Sequence, residues 1–130
     1  MSLSSIYFLI SGTTLAVLHT IAVLLHLYWK IEWFDTPMHV LGGVVVGLLW
    51  FTLQDIGPLS KMHRFALVGY MVFVGAILLG WELFELLIGS PLSDVFIVDT
   101  GVDILAGILG AGISWFVVKA LDNIETAKYE

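Results

Sequence analysis

Long apolar runs separated by short polar breaks dominate this chain of 130 residues. A run of about 17–25 mostly apolar residues is long enough to cross a bilayer as a helix. Four segments have this length, at about residues 5–29, 36–53, 65–88 and 98–121. They are predicted to be helices, because backbone polar groups must be paired in lipid and the runs lack the alternation of barrel strands. The pattern therefore predicts an all-α membrane protein, a compact bundle of four transmembrane helices in a single domain, residues 1–130.

The composition agrees with lipid as the surrounding medium. The chain is 59% hydrophobic and only 12% charged, whereas soluble domains carry about 25% charged residues. It has no cysteine, which excludes disulfides and thiolate metal sites. The first residues lack a basic region and a cleavage site, so the first run is expected to be retained as an anchor.

The charges divide unevenly between the two ends of the predicted bundle. The end with both termini and the middle loop, here called the terminal face, carries equal numbers of basic and acidic residues. The opposite end, the loop face, has Lys30 as its basic residue, against Glu32, Asp35, Glu82, Glu85, Asp94, Asp99 and Asp103. Basic residues near span ends favour the cytoplasm. We therefore expect both termini to be cytoplasmic, in the cytoplasmic (inner) membrane of a prokaryote.

Tryptophan and glycine positions indicate how the helices meet lipid and one another. Tryptophans collect at membrane interfaces, so Trp29, Trp33 and Trp81 are expected at the loop face, and Trp50 and Trp115 at the terminal face. Small residues let membrane helices pack closely. This role is predicted for Gly42, Gly43, Gly47, Gly107 and Gly110.

A weak internal repeat relates the second and fourth spans. After a shift of 64 positions, FDTPMHVLGGVVVG lies over VDTGVDILAGILGA. Asp35 then aligns with Asp99, and His39 aligns with Asp103. Both spans run in the same direction, so the two hairpins would form a parallel repeat.

The topology brings six polar side chains to one depth at the loop face. Residues three or four apart share a helix face, so each of the last three spans offers a pair: Asp35/His39, Glu82/Glu85 and Asp99/Asp103. The spacing predicts an inner layer of His39, Glu82 and Asp103, and an outer layer of Asp35, Glu85 and Asp99. His26 and His19 on the first span are accessory candidates.

Helix capping explains part of this pattern. Thr36 before Pro37 is typical of an N-cap followed by the first helical residue, and acids at helix N-termini favour the macrodipole. Capping does not explain Glu82 and Glu85, because they lie at the C-terminal end of their helix, where the helix dipole disfavours acidic side chains. Acids inside a membrane usually line a cavity and mark function.

Several close carboxylates cannot all ionise unpaired, so they take up protons or surround a cation. Carboxylates with one or two imidazoles and no sulfur suit Mg²⁺, Mn²⁺, Ca²⁺, Fe²⁺ or Zn²⁺. The paired Glu-x-x-His signature of di-iron bundles is absent. We therefore expect a divalent metal ion of unspecified identity, and the sequence indicates no particular catalytic residue.

The order of these motifs resembles a known family. Asp35 and His39 open one span, Trp81-Glu82-Leu83-Phe84-Glu85 closes the next, and Asp99-Thr100-Gly101-Val102-Asp103 opens the last. Over residues 34–112 the chain is similar to VanZ-like membrane proteins and, more closely, to YjdF-like bacterial inner-membrane proteins. VanZ-like chains usually have Lys, Gln and Asn where this chain has Thr36, Glu85 and Asp103. The link of the VanZ-like family to glycopeptide-antibiotic resistance implies a role with cell-envelope precursors.

Three functions remain open at this point. The first is metal-dependent chemistry on a lipid headgroup or a lipid-linked envelope precursor, with membrane lipid as the partner. The second is proton- or metal-coupled transport by a homo-oligomer, and the third is a structural or partner-binding role without chemistry. No nucleic-acid partner is expected. The first function is favoured over transport, because the acidic residues of the spans lie near the loop face and do not continue across the membrane.

Overall fold

The computed structural model describes residues 2–57, 59–88 and 96–127. Over these residues the chain forms five helices and no strand: α1 Leu3–Leu24, α2 Leu27–Lys30, α3 Asp35–Asp55, α4 Leu67–Ile88 and α5 Phe96–Ala127. Four of them, all except α2, are long and apolar enough to cross a membrane. The predicted all-α architecture with four spans is therefore confirmed. Asp94 of the loop face, and Lys128 and Glu130 of the terminal face, lie outside the described residues.

The central helix of the bundle is α3. It packs most extensively along α5, packs along α1 on another side and also contacts α4. In its most apolar stretch 44% of the residues are buried, compared with 6% for α1 and 11% for α4. Most of the surface of α1 and α4 is therefore left to face lipid, whereas much of α3 is enclosed by protein.

Glycines bring α3 and α5 into backbone contact. A Cβ atom at Gly43 would overlap the carbonyl oxygen of Gly107, and a Cβ atom at Gly110 would overlap the carbonyl oxygen of Val40. Gly47 also lies against neighbouring side chains. The prediction of close packing is confirmed for these four glycines. It is wrong for Gly42, because a Cβ atom there has no neighbour within 4 Å.

The contact between α3 and α5 follows the predicted repeat. Gly43 lies against the backbone of Gly107, the glycine at its equivalent position, whereas a Cβ atom at Gly107 would point to Leu78 of α4. Further along both helices, the Ser114 hydroxyl donates to the Val44 carbonyl oxygen at 2.8 Å. The two helices therefore run in the same direction. The repeat does not extend to their partners, since α1 packs mainly on α3 whereas α4 contacts both α3 and α5.

One arginine ties the helix ends at the terminal face. Arg64, between α3 and α4, donates from Nη1 to Asp55 Oδ1 at 2.6 Å and from Nε to Asp122 Oδ2 at 2.5 Å. The Ser4 hydroxyl donates to the other oxygen of Asp55. Partial burial lowers the pKa of Arg64, but the bonds and charges of Asp122 and Asp55 outweigh this effect and raise it above its usual value. The network joins α1, α3 and α5.

Aromatic side chains fill the bundle next to this network. Phe51 and Tyr70 are fully buried, and Trp115 packs against Tyr70 with ring centroids 4.8 Å apart. Trp50 is only 2% exposed. The predicted interfacial position is therefore wrong for Trp50, because its ring packs inward against Tyr70 and Phe73 of α4. Trp115 is half-buried. The three tryptophans of the loop face are exposed, as predicted: Trp29, Trp33 and Trp81.

The first span ends earlier than its apolar run predicts. Helix α1 stops at Leu24, and His26 has the left-handed conformation with φ 57°, which residues other than glycine adopt only infrequently. The chain then forms the four-residue helix α2. The run continues through residues 25–29, so hydrophobicity alone does not mark this break.

Replacement of Gly43 by alanine tests the backbone contact. We expect Gly43→Ala to destabilise the bundle by about 1–3 kcal/mol, because the new methyl group forces α3 away from α5. Gly42→Ala is the matched control and should be neutral or up to about 1 kcal/mol more stable, since alanine favours the helix. Unfolding in mixed detergent micelles, followed by circular dichroism, measures both; equal stabilities would contradict the contact.

Replacement of Arg64 tests the network at the terminal face. Arg64→Ala removes the guanidinium group that pairs with Asp55 and Asp122. We expect a loss of about 1–3 kcal/mol, because the two ion pairs are partly buried and so lie between exposed and buried pairs in strength. Lys61→Ala removes an exposed charge of the same loop and should change stability by less than about 0.5 kcal/mol. The same unfolding assay compares them, and an Arg64→Ala protein as stable as Lys61→Ala would show that the network contributes little.

Candidate metal centre

Side chains from α3, α4 and α5 converge around His39. Its Nε2 atom lies 3.5 Å from Asp35 Oδ1 and 3.9 Å from Asp103 Oδ2. Its Nδ1 atom lies 3.9 Å from Glu82 Oε1. Both ring nitrogens therefore face carboxylates, and these carboxylates come from three different helices.

Burial divides the cluster into two layers. His39, Glu82 and Asp103 are 8%, 9% and 5% exposed. The Asp35 side chain is 37% exposed, Glu85 is half-buried and Asp99 is exposed. This is the order of depth that the helix spacing predicts. The cluster is thus enclosed by helices on its inner side and open at the loop face.

The close approach of α3 and α5 explains how His39 and Asp103 meet. His39 lies four residues before Gly43, and Asp103 lies four residues before Gly107. Residues four apart share a helix face. His39 therefore lies on the side of α3 that meets Gly107, and Asp103 lies on the side of α5 that meets Leu78 of α4. Glu82 then reaches the cluster from the end of α4.

The doubled Asp-Thr has different local roles in its two copies. Helix α3 begins at Asp35, and its N-cap is Phe34, which makes no side-chain capping bond. Thr36 is therefore not the N-cap, and the predicted cap is wrong by two positions. Asp35 instead lies next to His39. In the second copy, the Thr100 side chain lies near Glu82 of α4.

Two sets of three residues have the spacing of metal ligands. Asp35, His39 and Asp103 form one set; His39, Glu82 and Glu85 form the other. In each set the donor atoms lie within 4.8 Å of one another. Asp99, the sixth predicted ligand, belongs to neither set. The arrangement could hold one cation on either side of the imidazole of His39.

Lys30 does not neutralise the cluster. Its ammonium group donates to the Leu25 carbonyl oxygen at 2.9 Å and so caps the end of α1. In the described part of the chain, the ion pairs of Asp35, Glu82 and Asp103 are all with His39, and none joins these acids to a lysine or arginine. Carboxylates thus outnumber nearby protein cations, which favours a bound cation or protonation.

The accessory histidines lie outside both sets of ligands. His26 is exposed at the turn after α1 and packs edge-on against Trp29, with ring centroids 5.6 Å apart. His19 is also exposed, and its Nδ1 atom lies 2.9 Å from the hydroxyl oxygen of Tyr28.

Tyr28 is a neighbour of the cluster that the sequence does not single out. Burial raises the pKa of its hydroxyl to about 12, with further contributions from the charges of Asp35 and Glu85. Its ring packs edge-on against Phe34, the residue before Asp35, with ring centroids 5.4 Å apart. No spacing rule could find it, because Tyr28 reaches this position only through the break between α1 and α2.

Comparison of the chain with models of protein families, with curated proteins and with solved structures finds no match. The resemblance to VanZ-like and YjdF-like proteins therefore stays a prediction from motifs. The class that the structure itself defines is a helical bundle with four candidate membrane spans and a carboxylate/histidine cluster at one end.

Proposed function

We propose that this chain is a multi-pass membrane protein that binds a divalent cation at one membrane interface, through the cluster around His39. The surroundings of His39 carry this proposal. Its buried ring nitrogens lie 3.5–3.9 Å from three carboxylates, whereas direct charge-assisted hydrogen bonds are about 2.7–2.9 Å long. Neighbouring donors held at about 2.0–2.4 Å from one ion are about 2.8–3.9 Å apart.

The donor set narrows the class of cation. Each side of the His39 imidazole offers one nitrogen and two carboxylates: Asp35 and Asp103 on one side, and Glu82 and Glu85 on the other. Asp99 would add only oxygen. Oxygen-rich sites with one nitrogen suit Mg²⁺, Mn²⁺, Fe²⁺ or Zn²⁺. Ca²⁺ would fit if the imidazole is not a ligand. A divalent ion would offset two carboxylates at once, which Lys30 does not do.

The proposed orientation places the cluster outside the cell. Arg64, Lys61 and Lys119 lie toward the terminal face, and short basic loops favour the cytoplasm. The resemblance to bacterial inner-membrane proteins suggests the cytoplasmic membrane of a prokaryote. In that orientation the acidic loop face meets the outer leaflet.

The depth of the cluster supports chemistry on a lipid headgroup. Tryptophan side chains are enriched at the membrane–water interface, at the depth of the lipid headgroups. Trp29, Trp33 and Trp81 are exposed at this end of the bundle, so the cluster would lie close to that depth. The outer layer is open, so a headgroup phosphate could complete the coordination of a bound cation. Such a cation polarises a phosphoryl oxygen. A phospholipid or a lipid-linked envelope precursor would be the substrate class.

Transport by a single chain has less support. The interior between the cluster and the Arg64 network is filled, over the described residues, by an apolar and aromatic core that includes Phe51, Tyr70 and Trp115. The Tyr70 hydroxyl is itself engaged by the Ala111 carbonyl oxygen at 2.6 Å. An ion path through the bundle would have to cross this core, so a carrier would need a path between chains of an oligomer.

Metal analysis tests the cation site. We expect the purified protein to retain about one divalent ion per chain after dialysis, and a Glu82→Gln/Asp103→Asn protein to retain none, because both changes remove inner ligands. Inductively coupled plasma mass spectrometry gives the stoichiometry. Glu32→Gln is the matched control, since it removes an exposed acid of the same face and should leave metal content unchanged.

Two results would reject the cation site. One is wild-type protein without metal, even after incubation with Mn²⁺ or Zn²⁺; protonated carboxylates would then be the better account of the cluster. The other is metal that persists in the double variant, which would place the ion elsewhere on the chain.

Phosphate release tests the proposed chemistry separately. With the metal that elemental analysis identifies, we expect protein in liposomes to release phosphate from phosphatidic acid or a polyprenyl diphosphate, and Asp103→Asn to reduce the rate at least about 100-fold. Glu32→Gln again serves as the control. Metal binding without release from either lipid, combined with metal flux into sealed liposomes, would favour transport.

A further inference from the structure

Helix α4 enters the bundle through a single line of side chains. Its buried residues are four apart and therefore share one face of the helix: Tyr70, Val74, Leu78 and Glu82. The Tyr70 hydroxyl fixes one end of this line, because it donates to the Ala111 carbonyl oxygen of α5 at 2.6 Å. Glu82, at the other end, is the member that reaches the cluster. The contacts along this line therefore decide where Glu82 lies.

Gly107 of α5 provides the closest of these contacts. A Cβ atom at Gly107 would lie 2.6 Å from Leu78 Cδ2 and 3.3 Å from Leu78 Cγ. Leu78 is itself buried, and packed interiors leave a side chain little room to turn aside. Leu78 thus approaches the backbone of α5 at a place where any side chain on position 107 would displace it.

The opposite directions of α4 and α5 link this contact to the cluster. Helix α4 begins at the terminal face, whereas α5 ends there. Four residues after Leu78 on α4 is Glu82, and four residues before Gly107 on α5 is Asp103. Both acids are therefore about 6 Å from the contact along the helix axes, at 1.5 Å per residue. A carboxylate oxygen of each lies 3.9 Å from a ring nitrogen of His39.

We propose that Gly107 is a positioning residue of the cation site: it lets Leu78 pack against the backbone of α5 and so sets the position at which Glu82 faces His39. This inference rests on the proposed cation site. Side chains that form such a site must be held within about 0.5 Å of their productive geometry. Ordinary contacts begin at 3.4 Å, so even a methyl group at position 107 would require a shift of about 0.8 Å at Leu78.

The expected shift is confined to α4. The contact of Gly43 with α5 is made to the backbone of Gly107, whereas a side chain at position 107 would point to Leu78. His39 and Asp103 should therefore stay together on α3 and α5 when α4 is displaced. The loss would fall on the carboxylates of α4.

Titration of the full-length protein in detergent with Mn²⁺, followed by electron paramagnetic resonance, tests this role. We expect Gly107→Val to weaken Mn²⁺ binding at least about tenfold, as loss of the groups that orient a metal ligand usually does. The spectrum of the bound ion should also change. Gly112→Val is the matched control on α5, because a Cβ atom at Gly112 has no neighbour within 4 Å, and it should bind as the wild type does.

A volume-conserving exchange shows whether Gly107 acts through Leu78. Leu78→Ala removes as many carbon atoms as Gly107→Val adds, and packed interiors tolerate such exchanges best. The Leu78→Ala/Gly107→Val protein should therefore regain most of the lost Mn²⁺ affinity. Leu79→Ala/Gly107→Val shortens an exposed leucine instead and should regain none. If a Gly107→Val protein does not fold, Gly107→Ala with and without Leu78→Val makes the same comparison with a single carbon atom.

The outcomes separate this inference from the cation site itself. Wild-type Mn²⁺ affinity in Gly107→Val, together with loss of Mn²⁺ in Asp103→Asn, would overturn the role of Gly107 and leave the cation site intact. Equal Mn²⁺ affinities in the two double variants would overturn it as well. A changed melting temperature in Gly107→Val with unchanged affinity and spectrum would show a structural role only and would have the same consequence. A wild-type protein that binds no Mn²⁺ would overturn both proposals.

Discussion

The backbone contact between α3 and α5 is the interaction on which the cluster depends. In lipid, helices gain little from burying apolar surface against one another, so close packing of small residues holds them together. Here Gly43 meets Gly107 without any intervening side chain. One helical turn earlier on each helix, the same geometry turns His39 toward Asp103. A larger residue at Gly43 would separate the helices and the polar pair together, whereas one at Gly107 would meet Leu78 of α4.

The two ends of the bundle have opposite electrostatic arrangements. At the terminal face, Arg64 is paired with Asp55 and Asp122, and the charges nearly balance. At the loop face, His39 is the basic partner of several carboxylates, while Lys30 is engaged by a backbone carbonyl oxygen. Unbalanced charge near a membrane interior is costly and is usually retained for function. The balanced end and the glycine contact provide the stability that an unbalanced cluster requires.

Much of this architecture can be predicted from the sequence, for identifiable reasons. Spans follow from run length, and the convergence of His39, Glu82 and Asp103 follows from topology and helical spacing. The break at His26 could not be predicted, because the apolar run continues past it. The inward turn of Trp50 depends on which helix becomes central. The rotation of each helix about its own axis decides whether a glycine such as Gly43 lies in the contact between α3 and α5. An apolar run does not indicate this rotation.

The internal repeat departs from symmetry at an informative position. Asp35 and Asp99, Thr36 and Thr100, and Gly43 and Gly107 are identical pairs, but His39 aligns with Asp103. Equivalent positions near the axis of a parallel repeat lie close together, as Gly43 and Gly107 do. A symmetric pair of aspartates here would place like charges together in a buried site, where repulsion is strong. One histidine replaces that repulsion by attraction and supplies the nitrogen donor around which the carboxylates gather.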